Sequence, residues 1–137
     1  MAECILRFPA TFAAYARASS ELRRALVDGG VAERPRYNAE LVFEEIVSNI
    51  IRHGCSNHVQ CAIEVSLGFQ AGELVLSFKD NGQPFDPRSY QPAPSPRSLD
   101  DAGRGGLGLL LVRNAAAHID YERTRQNKNR ITVRIEA

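Results

Sequence analysis

The sequence has 137 residues, of which 44% are hydrophobic and 24% are charged, with a formal net charge of +1. These values are typical of one globular domain with its own core, and the near-neutral charge favours neither a nucleic-acid nor a membrane partner. No signal peptide and no apolar run of about 18 residues is visible. The three cysteines have no C-x-x-C spacing and predict neither a disulfide framework nor a zinc site. The simplest interpretation is a cytoplasmic protein with reduced thiols.

The chain begins with a predicted strand and a predicted helix. The strand is expected from Cys4 to Phe8 and should end at Pro9. The helix is expected from Thr11 to Val27, with Thr11 as its N-cap and Gly29-Gly30 closing it. The segment Arg34-Pro35-Arg36 is then expected to be a connector.

A second helix is predicted from Arg36 to Gly54. Asn38 is its expected N-cap, with Tyr37 and Val42 as a hydrophobic staple, and Gly54 should end it in the left-handed conformation. At the helical step of about 100° per residue, one broad apolar side suits packing on a sheet. That side consists of Val42, Phe43, Ile46, Val47, Ile50 and Ile51.

The second half of the chain predicts a mostly antiparallel sheet. His58 to Leu67 and Glu73 to Lys79 are expected strands, and the tight turn between them makes them antiparallel. Residues 83–101 hold five of the seven prolines and are expected to form a long loop. A buried helix from Leu107 to Ala117 and a hairpin then follow, with strands at 119–125 and 130–136. The order β-α-α-β-β-loop-α-β-β predicts an α+β two-layer sandwich, a mostly antiparallel (mixed) sheet with helices on one face.

Three segments could carry chemistry. Asp80-Asn81-Gly82 follows a strand and is typical of a type I′ hairpin turn. Pro84 and Pro87 disfavour the second strand that such a turn would need. The Asp80 carboxylate is therefore left at the end of a strand, where it could accept from a ligand amino group. Residues 103–108 fit G-x-G-x-x-G at a helix start, where backbone N–H groups favour phosphate, although a flexible hinge is the alternative. Glu45 and Asn49 lie one helical turn apart, a pair that in isolation is typical of solvated surface.

The ordered set of these segments resembles the Bergerat ATP-binding fold shared by gyrase, heat-shock chaperones, mismatch-repair proteins and histidine kinases. It is more closely similar to the small bacterial anti-sigma-factor serine/threonine kinases. The matching motifs are an N-box, EEIVSNIIRHG at 44–54, and two glycine boxes, DNGQPFDP at 80–87 and GRGGLGLLLVRN at 103–114. The resemblance spans nearly the whole chain and implies a single histidine-kinase-like ATPase domain over residues 1–137, with an ATP lid at about 83–105.

The resemblance implies roles for individual residues. Asn49 would hold Mg²⁺ through its amide oxygen, and Glu45 would be the general base for a substrate serine. Asp80 would bind the adenine amino group, with Gly82 beneath the ring. The other implied nucleotide contacts are Arg52, His53, Gly105, Gly106, Leu107 and Gly108 near the phosphates and Thr132 near adenine. Arg104 would lie at the edge of the lid, near the terminal phosphate or the partner. Capping of the helix end explains Arg52 and His53 equally well, and Thr132 lacks the glycine that precedes it in some of these proteins.

The implied function is that of an anti-sigma-factor kinase. It would use ATP and Mg²⁺ to phosphorylate a serine of an anti-sigma-factor antagonist, and it would sequester a sigma factor. The family also suggests a homodimer, and no direct nucleic-acid or membrane partner is expected. The alternative is an ATP-binding regulatory module that sequesters its partner without catalytic turnover, and a third option is a nucleotide-free scaffold.

Overall fold

The computed structural model describes residues 3–55, 60–89 and 107–137. Within these ranges the helical elements are α1 Phe12–Asp28, α2 Glu33–Asn49, a π-helical turn Ile50–Gly54, a 3-10 turn Pro87–Ser89 and α3 Leu107–Ala115. The strands are β1 Cys4–Pro9, β2 Ala62–Gln70, β3 Glu73–Asp80, β4 His118–Arg123 and β5 Asn129–Glu136.

The five strands form one sheet in the order β1-β2-β3-β5-β4. All four pairings between neighbouring described strands are antiparallel. Helices α1 and α2 cover one face of this sheet, and α3 packs against α2. The predicted α+β class, the predicted element order and the two-layer arrangement are therefore confirmed.

The core lies between the helices and the inner face of the sheet. Strands β2, β3 and β5 alternate buried and half-buried residues, as expected for a sheet with one covered face. The ring of Phe43 from α2 stacks on Tyr15 at 5.9 Å and meets Phe8 and Phe78 at 6.3 Å each. Burying one such side chain contributes roughly 1.5–3 kcal/mol, so this aromatic cluster holds α2 firmly on the sheet.

The predicted start of α2 is wrong. The helix begins at Glu33, and its N-cap residue Ala32 makes no side-chain cap hydrogen bond. Pro35 lies in the first turn, where its missing N–H removes no intrahelical bond, so the expected connector is helical. Asn38 is therefore inside the helix, and Tyr37 is 64% exposed and cannot act as a staple.

The helical path ends at Gly54 as predicted, but the predicted left-handed conformation of Gly54 is wrong. Instead of a left-handed glycine, residues 50–54 form a π-helical turn in which the Cys55 N–H donates to the Ile50 carbonyl at 3.0 Å. Positive φ among the described glycines occurs at Gly30 and Gly72, not at Gly54. Because an i→i+5 turn breaks the regular helical step, residues beyond Asn49 do not continue the polar stripe that the spacing predicts.

Other element boundaries agree with the sequence to within a few residues. The Thr11 side chain caps α1 by accepting from the Ala14 N–H at 3.1 Å, as predicted. Helix α3 is less buried than expected: Val112 lies in the core, but Leu110 and Leu111 are 39% and 43% exposed. None of the helices in the described ranges is long and apolar enough to cross a membrane.

Candidate functional site

Asp80 is a buried carboxylate at the end of β3, with only 2% of its surface exposed. Its Oδ1 accepts from the Gly82 N–H at 2.9 Å and from Asn129 Nδ2 at 3.1 Å. Burial raises its pKa above the ordinary value, and the bonds from Asn129 and Gly82 and the charge of Arg123 oppose that shift. Among the described residues no hydrogen bond reaches Oδ2, which leaves an acceptor for a ligand. Residues 81–86 form no strand, so the turn interpretation does not hold.

Gly82 brings the chain into close contact with the end of the N-box. A Cβ at this position would collide with the carbonyl oxygen of Gly54 and would lie 2.9 Å from Asp80 Oδ1. The same Gly54 carbonyl accepts from the Gln83 N–H at 3.0 Å, and Arg123 donates to the Gly82 carbonyl at 2.8 Å. The backbone beside Asp80 is therefore held from two sides, and only glycine fits there.

Asn129 is a site residue that the sequence analysis missed. It is 1% exposed, and besides Asp80 its Nδ2 donates to the Gln83 carbonyl at 2.8 Å. The Tyr121 hydroxyl donates to its Oδ1 at 2.6 Å, which orients the amide with its NH₂ group toward the carboxylate. Asn129 is the register partner of Asp80 across β3 and β5. That pairing joins strands distant in sequence, so no local signal could have identified it.

The structure does not bring Thr132 to Asp80. Thr132 pairs with Ser77 and lies three residues from Asn129, and side chains alternate between the faces of a strand. Asn129 and Ile131 are buried on the inner face, whereas Thr132 is half-buried on the outer face. The spacing of three therefore places the two side chains on opposite faces, with Asn129 and not Thr132 beside Asp80. An adenine contact by Thr132 stays a prediction.

Asn49 is buried and has an unpartnered oxygen. Only 2% of the residue is exposed, and its Nδ2 donates to the Glu45 carbonyl oxygen at 2.6 Å. No described group donates to its Oδ1. A buried acceptor without a donor costs roughly 1–3 kcal/mol, which a metal ion would offset, and amide oxygens are ligands that Mg²⁺ accepts. This buried residue is therefore not part of a solvated surface.

Glu45 is half-buried one turn before Asn49 on α2. Burial raises the pKa of its carboxyl group, the neighbouring charge of Glu44 raises it further, and Arg52 lowers it. A carboxylate with increased proton affinity is better suited to accept a proton than an ordinary surface carboxylate. This environment is compatible with the general base that the resemblance implies.

Arg52 and His53 both lie in the π-helical turn and contact different elements. Arg52 is exposed and its guanidinium lies 5.9 Å from the centre of the Phe12 ring on α1. His53 stacks on Phe85 at 5.7 Å, and its Nε2 is buried without a partner among the described residues. Gln83 Nε2 donates to the His53 carbonyl at 2.5 Å. His53 therefore lies beside the first glycine box, and Arg52 lies beside α1.

The second glycine box is described in part. Arg104, Gly105 and Gly106 lie outside the described residues, whereas Leu107 and Gly108 open α3. At the other end of α3, Arg113 donates to the Arg88 carbonyl at 2.9 Å. The chain just after the first glycine box is thus attached to α3.

Cys55 and Cys61 form a disulfide in the structure, so the prediction that no disulfide framework exists and that all thiols are reduced is wrong for this pair. The two sulfurs and one carboxylate oxygen of Asp80 lie within 4.8 Å of one another. The pairing joins the end of the π-helical turn to the start of β2. The two cysteines are only six residues apart in sequence, so their pairing is local, although the spacing is not C-x-x-C. Cys4 is the free cysteine.

Comparisons with known proteins agree with this geometry. The model of the histidine kinase-like ATPase domain matches residues 8–135. The serine/threonine-protein kinase BtrW of Bordetella bronchiseptica is 35% identical over 109 residues, which are 75% of this chain and 76% of the relative. The fold and its buried Asp80 and Asn49 thus define a two-layer ATPase-type domain. The chain belongs to the family of histidine kinase-like ATPase domains, within which it is similar to the serine/threonine-protein kinase BtrW.

Solved structures show the same fold at lower identity. The RsbU and RsbW domains of a Mycobacterium tuberculosis protein match 99% of this chain with a TM-score of 0.69 and 16% identity. This chain spans only 32% of that structure. The SiaB–SiaC complex from Pseudomonas aeruginosa matches 96% of this chain and 88% of the other, with a TM-score of 0.69 and 17% identity.

Proposed function

We propose that this protein, a serine/threonine kinase by its family and its relative, transfers the γ-phosphate of ATP to a serine of an anti-sigma-factor antagonist. We further propose that it sequesters a sigma factor. The observation that carries the phosphotransfer is the buried, unpartnered Oδ1 of Asn49, one turn from a Glu45 carboxylate whose pKa is raised. The SiaB–SiaC structure supports a protein partner, because that neighbour of similar fold was solved as a complex.

The adenine end of the site rests on Asp80. Its free Oδ2 would accept from the exocyclic amino group, while Asn129 and Gly82 hold Oδ1 in place. This arrangement selects adenine, because a ring that presented a carbonyl there would leave two acceptors facing each other. Gly82 allows the flat ring to approach the backbone.

The phosphate end rests on Asn49 and Glu45. Mg²⁺ held by the Asn49 oxygen would neutralise charge on the phosphates, which is the main electrostatic requirement of phosphoryl transfer. Glu45 would take the proton of the attacking serine hydroxyl, for which its raised pKa is favourable. His53 is the nearer of the two predicted basic contacts to the first glycine box. Roles of Arg104, Gly105, Gly106, Leu107 and Gly108 at the phosphates, and a lid over residues 83–105, remain proposals from the resemblance.

The alternative function is an ATP-binding regulatory module that sequesters its partner without turnover. Both functions need Asp80, but only the kinase needs Glu45 as a base. The half-buried Glu45 has no side-chain hydrogen bond among the described residues, so its role is the point to test. A homodimer and a cytoplasmic location also stay predictions.

The test uses ATP labelled on the γ-phosphate, Mg²⁺ and a candidate antagonist protein. We expect label on a serine of the antagonist with the wild type and a loss of about 100-fold or more with Glu45→Gln, at unchanged ATP affinity. Glu44→Gln is the matched control, because Glu44 is the exposed neighbour on the same helix and its removal should change the rate by less than about threefold. ATP binding without transfer by the wild type would favour the regulatory module. Unchanged transfer by Glu45→Gln would contradict the assigned base.

A further inference from the structure

The Cys55–Cys61 disulfide lies beside Asp80 and has no part in phosphoryl transfer. The two Cα atoms are 5.7 Å apart, and both residues are half-buried and thus accessible to a small reagent. Both sulfurs lie within 4.8 Å of a carboxylate oxygen of Asp80. A change in their bonding would therefore occur at the wall of the adenine end of the site.

We propose that Cys55 and Cys61 are a reversible dithiol–disulfide site whose oxidation tightens nucleotide binding, an inference that rests on the proposed nucleotide site at Asp80. Its physical basis is the way in which the two cysteines hold the Asp80-Asn81-Gly82 segment from opposite sides. The disulfide connects these two sides directly.

The first side is the end of the π-helical turn. Cys55 follows Gly54, whose carbonyl oxygen accepts from the Gln83 N–H and is so close to Gly82 that a Cβ there would collide with it. Any displacement of Cys55 therefore moves the backbone against which the first glycine box packs.

The second side is the start of β2. The side chain of Asn81 accepts from the Ala62 N–H at 2.8 Å and donates to the Gln60 carbonyl at 3.0 Å. The Cys61 carbonyl between them accepts from the Ala10 N–H at 2.9 Å, which anchors this segment to the start of α1. Cys61 thus belongs to a rigid segment that binds the residue after Asp80.

The disulfide links the end of the π-helical turn covalently to the start of β2, so Asp80 is held in a preorganised position. On reduction the two sulfurs separate to van der Waals contact, and the covalent link between the Gly54 side and the Asn81 side of the Asp80 segment is lost. A ligand must then order these groups when it binds, which lowers its affinity. A thiol hydrogen would also compete for the Asp80 carboxylate as a weak donor. Both effects predict weaker nucleotide binding by the reduced form.

The oxidant is a peroxide, and the reaction balances without any other reagent. One thiol ionises, and its thiolate attacks a peroxide oxygen. The O–O bond breaks to give a sulfenic acid and hydroxide, and the hydroxide takes up the proton that the thiol released, which gives one water. The second thiol then attacks the sulfenic sulfur, the S–S bond forms, and the hydroxyl leaves as a second water with the thiol proton. Two thiols and hydrogen peroxide give one disulfide and two waters, and a dithiol reagent reverses the change.

The experiment compares wild-type protein in its reduced and oxidised forms. The thiols are counted in each form, the disulfide is located by mass spectrometry, and the Kd for ATP with Mg²⁺ is measured by calorimetry. We expect ATP to bind the oxidised form about three- to tenfold more tightly. By reciprocity, a tenfold difference means that saturating ATP lowers the midpoint potential of the pair by about 30 mV.

Cysteine variants show whether the response to peroxide depends on the Cys55–Cys61 pair. Cys55→Ser and Cys61→Ser should each bind ATP like the reduced wild type and should ignore peroxide, whereas Cys4→Ser should respond like the wild type. Equal Kd values in both forms, or failure of peroxide to join these two cysteines in the folded protein, would overturn the redox control while leaving the nucleotide site intact. Absence of ATP binding in both forms would overturn the nucleotide site as well.

Discussion

Replacing Asn129 with alanine tests which residue of β5 supports Asp80. The change removes a charge-assisted bond to Asp80, a bond to the Gln83 carbonyl and the bond from the Tyr121 hydroxyl. Bonds to charged groups contribute about 1.5–3 kcal/mol and neutral ones about 0.5–1.5 kcal/mol, so we expect the free energy of unfolding to fall by about 2.5–6 kcal/mol. We also expect the Kd for ATP to rise at least about tenfold, because Asp80 loses a donor that orients it.

The assays are urea unfolding and calorimetric titration with ATP, and Thr132→Ala is the matched control. Thr132 lies on the same strand but on the outer face, so its loss should change stability by about 0.5 kcal/mol or less and leave the Kd unchanged. Because Asn129 lowers the pKa of Asp80, its removal should raise that pKa further and move the acid loss of ATP affinity to higher pH. The reasoning is refuted if Thr132→Ala weakens ATP binding as much as Asn129→Ala does.

Three further predictions concern the glycine box, the buried carboxylate and the cation ligand. Gly82→Ala places a Cβ 2.7 Å from the Gly54 carbonyl carbon, so the free energy of unfolding should fall by about 1–3 kcal/mol. Calorimetry should then detect no ATP binding. Gly68→Ala is the control and should bind ATP normally, because a Cβ at Gly68 meets nothing within 4 Å. The folded pKa of Asp80 is raised, so its stabilising contribution is present below the ordinary carboxyl pKa and is lost as pH rises through the folded value. Asp80→Asn should therefore lose less stability than the wild type as pH rises through the acid range, and it should bind no ATP. A pH series of urea unfolding curves measures this, and equal slopes of the free energy of unfolding against pH in the two proteins would contradict it. Asn49→Leu removes the unpartnered oxygen, so the free energy of unfolding should change by less than about 1 kcal/mol. Mg²⁺ should no longer improve the affinity for ATP. If Mg²⁺ still improves it in the calorimetric titration, Asn49 is not a ligand of the ion.

The local spacing of residues in the sequence was sufficient to predict the helices and strands and the side of α2 that is buried. The apolar residues predicted from the helical step, among them Val42, Phe43 and Ile46, are fully buried, and Thr11 caps α1 as expected. The order of the elements led to the α+β class because antiparallel hairpins and covering helices follow from neighbouring segments. The positions of Glu45, Asn49 and Asp80 were also named from motifs in the sequence.

Non-local contacts account for the features that spacing could not predict. The pairing of β3 with β5 places Asn129 rather than Thr132 beside Asp80, although Asp80 and Asn129 are 49 residues apart in sequence. The packing of Gly54 against Gly82 accompanies a π-helical turn that no propensity indicates. Periodicity depends on a residue and its near neighbours, whereas strand pairing and burial of a polar atom depend on which distant segments meet. For this protein, local sequence patterns therefore predict the helices and strands, whereas contacts between distant elements determine which residues surround Asp80.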